Sequence, residues 1–205
     1  MNPDKTFGRL GNRLFQLAYV FSQYKRGVIP DIYVQNPEYF DSYKEELRSL
    51  LVENREQINK VAIHVRRGDY VNNPFYVDLT QTDYYLKAMQ EFPNGEFLVF
   101  SDDIEWCKQQ TIFKDCEFNE ENENKALETM TRCVGHIIAN SSFSWWGSYL
   151  SNSKKIIAPK LWYTDNIHRT LKNIEWHSYV KVTEYMMTLS KLKLDIAIIP
   201  RKESY

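Results

Sequence analysis

The residues best suited to chemistry lie in Ile63-His64-Val65-Arg66-Arg67-Gly68-Asp69-Tyr70, where a short β-branched run ends in two arginines, a glycine and a carboxylate. Val61–Val65 has the composition of a strand buried in a parallel sheet. Open α/β sheets bind ligands just beyond the carboxyl ends of their strands, which is where Arg66 and Arg67 fall. Arginine keeps its charge and offers a rigid donor fork, so a pair of them at such an edge suits a diphosphate better than any neutral ligand. Taken alone, the tetrapeptide is more often an ordinary surface arginine pair answered by Asp69.

Three more loops have the composition of binding loops, and each has a plainer alternative. Gly8-Arg9-Leu10-Gly11-Asn12-Arg13 precedes an apolar helix, where glycines let the backbone approach a ligand and the helix start offers unpaired N–H groups. Its alternative is a bare turn with Asn12 as the helix cap. Ser101-Asp102-Asp103 follows the run Phe97–Phe100; a carboxylate there can accept two N–H bonds from a guanine base, and Asp102 is the better base reader because Asp103 also suits an N-cap. Asn140-Ser141-Ser142-Phe143-Ser144-Trp145-Trp146-Gly147 follows His136–Ala139 and would meet a phosphate with hydroxyls at a helix start. Its serines alone would be caps, and at least one of its tryptophans is a core residue. Four polar loops on one edge of one sheet make coincident capping a poor account of all of them.

The elements that must position these loops form a β-α alternation from residue 61 to about 158. Strands are predicted at Val61–Val65, Glu96–Phe100, Lys114–Phe118, Gly135–Ala139 and Lys155–Ala158. Helices are predicted at Thr82–Glu91, Asp103–Thr111, Asn122–Arg132 and Ser142–Leu150. Right-handed crossovers then give a Rossmann-like nucleotide-binding domain with helices on both faces of a parallel sheet. Before it, Leu14–Phe21 is apolar on more than one face and predicts a largely buried helix. Tyr43–Lys60 reads as one amphipathic helix, and Ile32–Val34 as a short strand within a proline-rich connector. Beyond Pro159, Tyr179–Val182 suggests a strand, Thr183–Leu192 a closing helix, and Leu194–Ile199 a last apolar run before a charged end. The resulting division is an amino-terminal lobe over 1–60, a Rossmann-like nucleotide-binding domain over 61–182, and a carboxy-terminal helix and tail over 183–205.

The chain has 205 residues, with 26 Lys+Arg against 27 Asp+Glu and no long basic tract, so bulk attraction to nucleic acid is not expected and any anion must be bound locally. No segment has the run of about 18 apolar residues that a membrane span needs. The expectation is a cytoplasmic protein that at most lies peripherally at a membrane. Cys107, Cys116 and Cys133 form neither an even set nor a C-x-x-C pair, and His64, His136, His168 and His177 are scattered, so neither a disulfide framework nor a metal site is expected.

Together the motifs Gly-Arg-Leu-Gly-Asn-Arg-Leu-Phe-Gln-Leu-Ala (8–18), His-Val-Arg-Arg-Gly-Asp-Tyr-Val (64–71), Phe-Ser-Asp-Asp (100–103) and Asn-Ser-Ser-Phe-Ser-Trp-Trp-Gly (140–147) resemble those of glycosyltransferase family 11, the α-1,2-fucosyltransferases, over about residues 7 to 180. The resemblance implies a GT-B architecture, a GDP-fucose donor, a terminal galactose acceptor, inversion at the anomeric carbon, and no cofactor or required metal. By position it places Arg66 on the donor diphosphate, with His64 and Arg67 beside it. Asp102, with Asp103 next to it, falls where guanine is held. Ser141, Ser142 and Phe143 cradle the donor, and Gly11 and Asn12 lie where donor sugar meets acceptor. Two features depart from the family pattern: the amino-terminal lobe is short, and Arg9 and Arg13 replace the usual second glycine and the glutamine of the first motif, adding positive charge near the cleft.

In the chemistry so implied, negative charge grows on the departing GDP, and fixed donors aimed at it stabilise the transition state. Proton removal from the acceptor is late, so a strong base is not obligatory. Asp69, Asp78 and His64 are the candidates, and the sequence does not choose among them; His64 is equally a packed scaffold residue. Two other readings stand beside transfer: a non-catalytic GDP-sugar-binding protein, and an adhesion role through Arg67-Gly68-Asp69, which a place inside a cleft argues against.

Overall fold

The computed structural model describes residues 9–26 and 40–164, together with the backbone of 195–199. Gly8, the connector around Ile32–Val34, and the segments predicted at Tyr179–Val182 and Thr183–Leu192 lie outside the described residues.

Six parallel strands make one sheet: β1 (Ile58–Val65), β2 (Phe97–Ser101), β3 (Glu117–Phe118), β4 (Cys133–Ile137), β5 (Lys155–Pro159) and β6 (Asp195–Ile199), in the order β3-β2-β1-β4-β5-β6. The order runs outward in both directions from β1 and β4. A crevice therefore opens between the loops that leave those two strands, the switch point where α/β sheets take their ligands. The terminal apolar run of the sequence forms β6, in register with β5 from Lys155 opposite Asp195 to Pro159 opposite Ile199.

The strand period of two sorts β1 onto two faces. Val61, Ile63 and Val65 pack with Val99, Ile137 and Ile157 under α3 (Tyr84–Gln90) and α4 (Ile104–Lys108). Ala62 points the other way, with Leu98 and Phe100, against Ala126 and Met130 of α5 (Glu123–Arg132). On that second face lies α6 (Ser142–Tyr149), which carries no charged residue and is buried from Ser144 to Tyr149, its Ser144 and Ser148 hydroxyls donating to backbone carbonyls one turn back. Trp145 and Trp146 are both fully buried; Phe15 of α1 (Leu10–Lys25) lies 4.7 Å from Trp145, and Phe40 stacks at 5.4 Å on Trp146. Leu47 of α2 (Lys44–Leu51) completes this cluster, so α1 and α2 form a helical layer directly on the sheet's core.

The single helix expected over Tyr43–Lys60 is not formed. It stops at Leu51, Val52 is extended, and Ile58–Lys60 belong to β1. The stop has a local cause: Asn54 Oδ1 accepts from the Glu56 N–H at 2.9 Å, an asparagine turn that competes with the helix, while the Asn54 N–H donates to Glu128 Oε1 at 2.8 Å. The strand expected over Lys114–Phe118 shrinks to Glu117–Phe118, because Thr111–Phe113 is a 3-10 turn and Cys116 N–H donates back to Phe113 at 3.0 Å.

Candidate functional site

A cleft of about 520 Å³ opens at the carboxyl ends of β1, β2, β3 and β4 and at the start of α1, within the usual range for a small-molecule site. Arg66, immediately after β1, forms its floor. Its side chain is only 8 % exposed, and its guanidinium spans two carboxylates, with Nη1 on Asp102 Oδ2 and Nη2 on Asp69 Oδ1. The ring of Tyr70 lies 5.1 Å beneath it. The fork therefore cannot rotate freely: one arm is tied to the end of β2 and the other to the turn after β1. Gly68 makes this possible, since a Cβ there would run into Asp102 Oδ2.

Asp102 is the hub. Besides Arg66, its Oδ1 accepts from the Arg67 N–H at 2.9 Å, and its Oδ2 meets Arg9 Nη1 at 3.3 Å. Burial alone would raise its pKa; the Arg67 N–H bond and the charges of Arg66 and Arg9 outweigh that and hold it below the ordinary carboxylate value. With three donors already on its oxygens, Asp102 accepts a pair of guanine N–H groups only if Arg9 gives way.

The two adjacent arginines have different surroundings. Arg67 turns away from the cleft: its Nε pairs with Asp103 Oδ2 at 3.1 Å and its guanidinium lies 3.7 Å over Trp106. Asp103 also caps α4, accepting from the Trp106 N–H at 3.3 Å. Neither Arg67 nor Asp103 lines the cleft.

On the opposite wall, α1 meets the start of α6. Ser142 Oγ donates to Asn12 Oδ1 at 2.8 Å, and a Cβ on Gly11 would come within 2.5 Å of Ser142 Oγ and 2.6 Å of the Phe143 nitrogen. Gly11 is therefore required by the close approach of two helices. Asn12 lies inside α1, so it is no cap, and Ser141 occupies the N-cap position of α6 without a side-chain cap bond. Gly11, Asn12, Ser141, Ser142 and Phe143 all line the cleft.

His64 shares the cleft as a buried ring, 5.2 Å from Phe143, and its Nδ1 has no hydrogen-bond partner. Burial drives its pKa down to about 3, with Asp102 opposing, so it is neutral at physiological pH and a weak proton acceptor. Asp78 is occupied in capping the turn at Leu79, accepting from the Thr80 N–H at 3.0 Å, and does not line the cleft. Of the three proton acceptors that the sequence left open, Asp69 alone combines a place in the cleft with an exposed carboxylate, at 65 %.

Other cleft residues went unnoticed in the sequence. Tyr70, Tyr76 and Tyr163 form an aromatic wall, with Tyr70 stacked on Tyr76 at 4.0 Å. The Tyr70 hydroxyl donates to Asn140 O at 2.8 Å, and Asn140 in turn donates to Val77 O and Trp162 O, clasping the loops together. At the far end, Glu121 accepts from Thr129 Oγ1 at 2.6 Å and Asn119 Nδ2 at 2.7 Å, which together lower its pKa. Asn119 follows β3, so the rule that places a site at strand ends reaches it as well; Tyr163 joins the other two tyrosines through the Tyr76–Tyr163 bridge, which no local pattern announces. Arg9 and Arg66 thus share the cleft with Asp69, Asp102, Glu121 and Glu123. Among the described residues, no group of three or more His, Cys, Asp or Glu side chains is arranged to hold a metal ion. Nor, among them, is any helix long and apolar enough to cross a membrane.

Helices on both faces of a parallel sheet, with a charged cleft at its switch point, define a Rossmann-like domain of the GT-B kind. The chain belongs to glycosyl transferase family 11, whose model matches residues 8–180. It is 38 % identical over 161 residues to an alpha-1,2-colitosyltransferase of Escherichia coli, an alignment covering 63 % of this chain and 54 % of that protein. It is 34 % identical over 135 residues to the O-antigen biosynthesis glycosyltransferase WbnK of the same organism, covering 59 % and 45 %. To the galactoside 2-alpha-L-fucosyltransferase SEC1 of Bos taurus it is 23 % identical over 155 residues, covering 69 % and 42 %. The chain thus spans about half the length of the curated relatives it matches. No solved structure matches it significantly.

Proposed function

We propose that the protein transfers a deoxyhexose, L-fucose in the first instance, from its GDP ester to the 2-hydroxyl of a terminal galactose, with inversion and without a required metal ion. The observation that carries this reading is the buried Arg66 fork on the floor of a switch-point cleft, facing the start of α6. A diphosphate replaces Asp69 on the outer arm of that fork, since Asp69 is exposed and sits on a short turn while Asp102 is covered. The acceptor 2-hydroxyl oxygen attacks the anomeric carbon, the bond from that carbon to the phosphate oxygen breaks, and GDP leaves with the electron pair. Arg66 meets the charge that grows there. Asp69, released from the arginine, takes the acceptor proton late. Family membership supports the reaction class, and the names of the relatives support the α-1,2 linkage. The assignment of residues 1–60 to the acceptor side belongs to the same reading.

The colitosyltransferase similarity extends the donor set, because colitose is L-fucose without its 3-hydroxyl. The test is thermal unfolding with GDP-fucose, GDP-colitose and UDP-galactose, each with and without EDTA, followed by transfer to lactose. Both GDP-sugars should stabilise the fold by about 2.7 kcal/mol at roughly 100 times their dissociation constant, EDTA notwithstanding. An equal shift with UDP-galactose, or loss of the effect in EDTA, contradicts the donor reading. GDP-sugar binding with no transfer to any galactose-ended acceptor leaves the non-catalytic binding reading in its place.

A further inference from the structure

Resting on the GDP-sugar reading above, we propose that Arg9 is a second, mobile guanidinium of the donor site. On this account it leaves Asp102 when a nucleoside diphosphate enters and closes on the phosphates from the α1 side. Arg9 and Arg66 reach the same oxygen, Asp102 Oδ2, from opposite sides of the cleft, but their situations are opposite. Arg66 is 8 % exposed and tied at both arms; Arg9 is 59 % exposed and touches Asp102 through one nitrogen at 3.3 Å. An exposed pair of that geometry contributes little, so releasing it costs little. Asp102 does not lose its charge balance when Arg9 departs, because Arg66 and the Arg67 N–H still hold it.

Charge gives the release its direction. Two arginines face four carboxylates around the cleft, an arrangement hostile to a diphosphate unless every available cation turns toward it. Arg9 immediately precedes α1, next to Gly11 and Asn12, so a swing of its side chain brings a cation to the cleft end of that helix, where Glu123 Oε1 accepts from the Leu10 N–H at 3.4 Å. Moving Arg9 to the phosphates also clears the Asp102 oxygen that a guanine edge needs. Base reading and phosphate capture would then be one exchange, with Arg9 passing from carboxylate to phosphate as the base takes its place.

Calorimetric titration of the wild type, Arg9→Gln and Arg9→Lys with guanosine, GMP and GDP tests this, with a thermal melt of each variant as the check on folding. The expected result is a loss on the order of tenfold in GDP affinity for Arg9→Gln, an intermediate loss for Arg9→Lys, and guanosine binding unchanged. Equal weakening of guanosine and GDP would show that Arg9 acts only by placing Asp102, and overturns the proposal; so does GDP affinity that is untouched by Arg9→Gln yet lost in Arg66→Met, which leaves the donor reading standing. A wild type that binds none of the three overturns the donor reading and this inference with it.

Discussion

The two walls of the cleft are held by different physics. At the α1–α6 junction the parts are neutral and close-packed: Gly11 lets a backbone approach, Ser142 bonds Asn12, and Phe143 covers His64. At the ends of β1 and β2 the parts are charged and mutually neutralising, with Arg66 between Asp69 and Asp102 and Arg9 at the rim. The first wall is specified by volume and tolerates no added atom. The second is specified by charge, each cation answered by carboxylates. Close packing and mutual charge neutralisation thus lie on opposite sides of one crevice.

Removing a charge should break the second wall hardest. Asp102→Ala leaves buried Arg66 with Asp69 as its only carboxylate, and loss of a buried partner costs about 3 kcal/mol or more. Urea unfolding at neutral pH measures it, and a midpoint equal to wild type would show that Asp69 alone suffices. Next comes volume. Gly11→Ala puts a methyl carbon against the Phe143 nitrogen and the Ser142 carbonyl carbon, both backbone atoms at 2.6 Å, so the helices must part at a cost of about 1–3 kcal/mol despite alanine's better helix propensity. A variant as stable as wild type would mean that α1 slides without penalty.

Acid separates the walls by pH. His64 is neutral in the fold with its pKa lowered to about 3, so its stabilising share is complete above the ordinary value of 6.5 and is lost as the pH falls toward 3, because the unfolded chain takes up the proton first. By about pH 5 the loss amounts to about 2 kcal/mol, and His64→Gln should remove it from the difference between urea unfolding energies at about pH 7 and pH 5. Asp102, whose folded pKa lies below its ordinary 3.8, contributes stability that is present above that value and fades only as the pH falls through the lowered one. Asp102→Ala should therefore leave the change between pH 7 and 5 as it was. The smallest effect is expected at Arg67→Lys: the stack on Trp106 and the bond to Asp103 weaken by about 1 kcal/mol, with transfer largely retained, because this arginine points away from the cleft.

What the sequence revealed and what it hid follow the same division. The strands were legible where the period of two met β-branched residues, as at Val61–Val65, and the loops leaving them were legible as a site because strand ends converge in a parallel sheet. The break at Asn54 was not, because Leu50, Leu51 and Ile58 keep helical spacing through a turn that a single asparagine side chain creates. Nor was Leu194–Ile199 as an edge strand, since nothing local in an apolar run names its partner. Within the site, Arg66 was legible as a cation at a strand end; its clamp was not, because Asp102 is 36 positions away and Arg9 a further 93 from Asp102. The aromatic wall depends on two loops meeting at Tyr76 and Tyr163.

The central claim is that Arg66 acts on charge developing in the leaving diphosphate, and a matched measurement of GDP affinity and fucose transfer to lactose in wild type and Arg66→Lys tests it most directly. Lysine keeps the unit charge and loses the fork that bridges two acceptors. The account predicts that transfer falls by roughly 10²–10³ while GDP binding weakens far less. Transfer at the wild-type rate in the Arg66→Lys protein, or a fall no greater than the loss in GDP affinity, would contradict it.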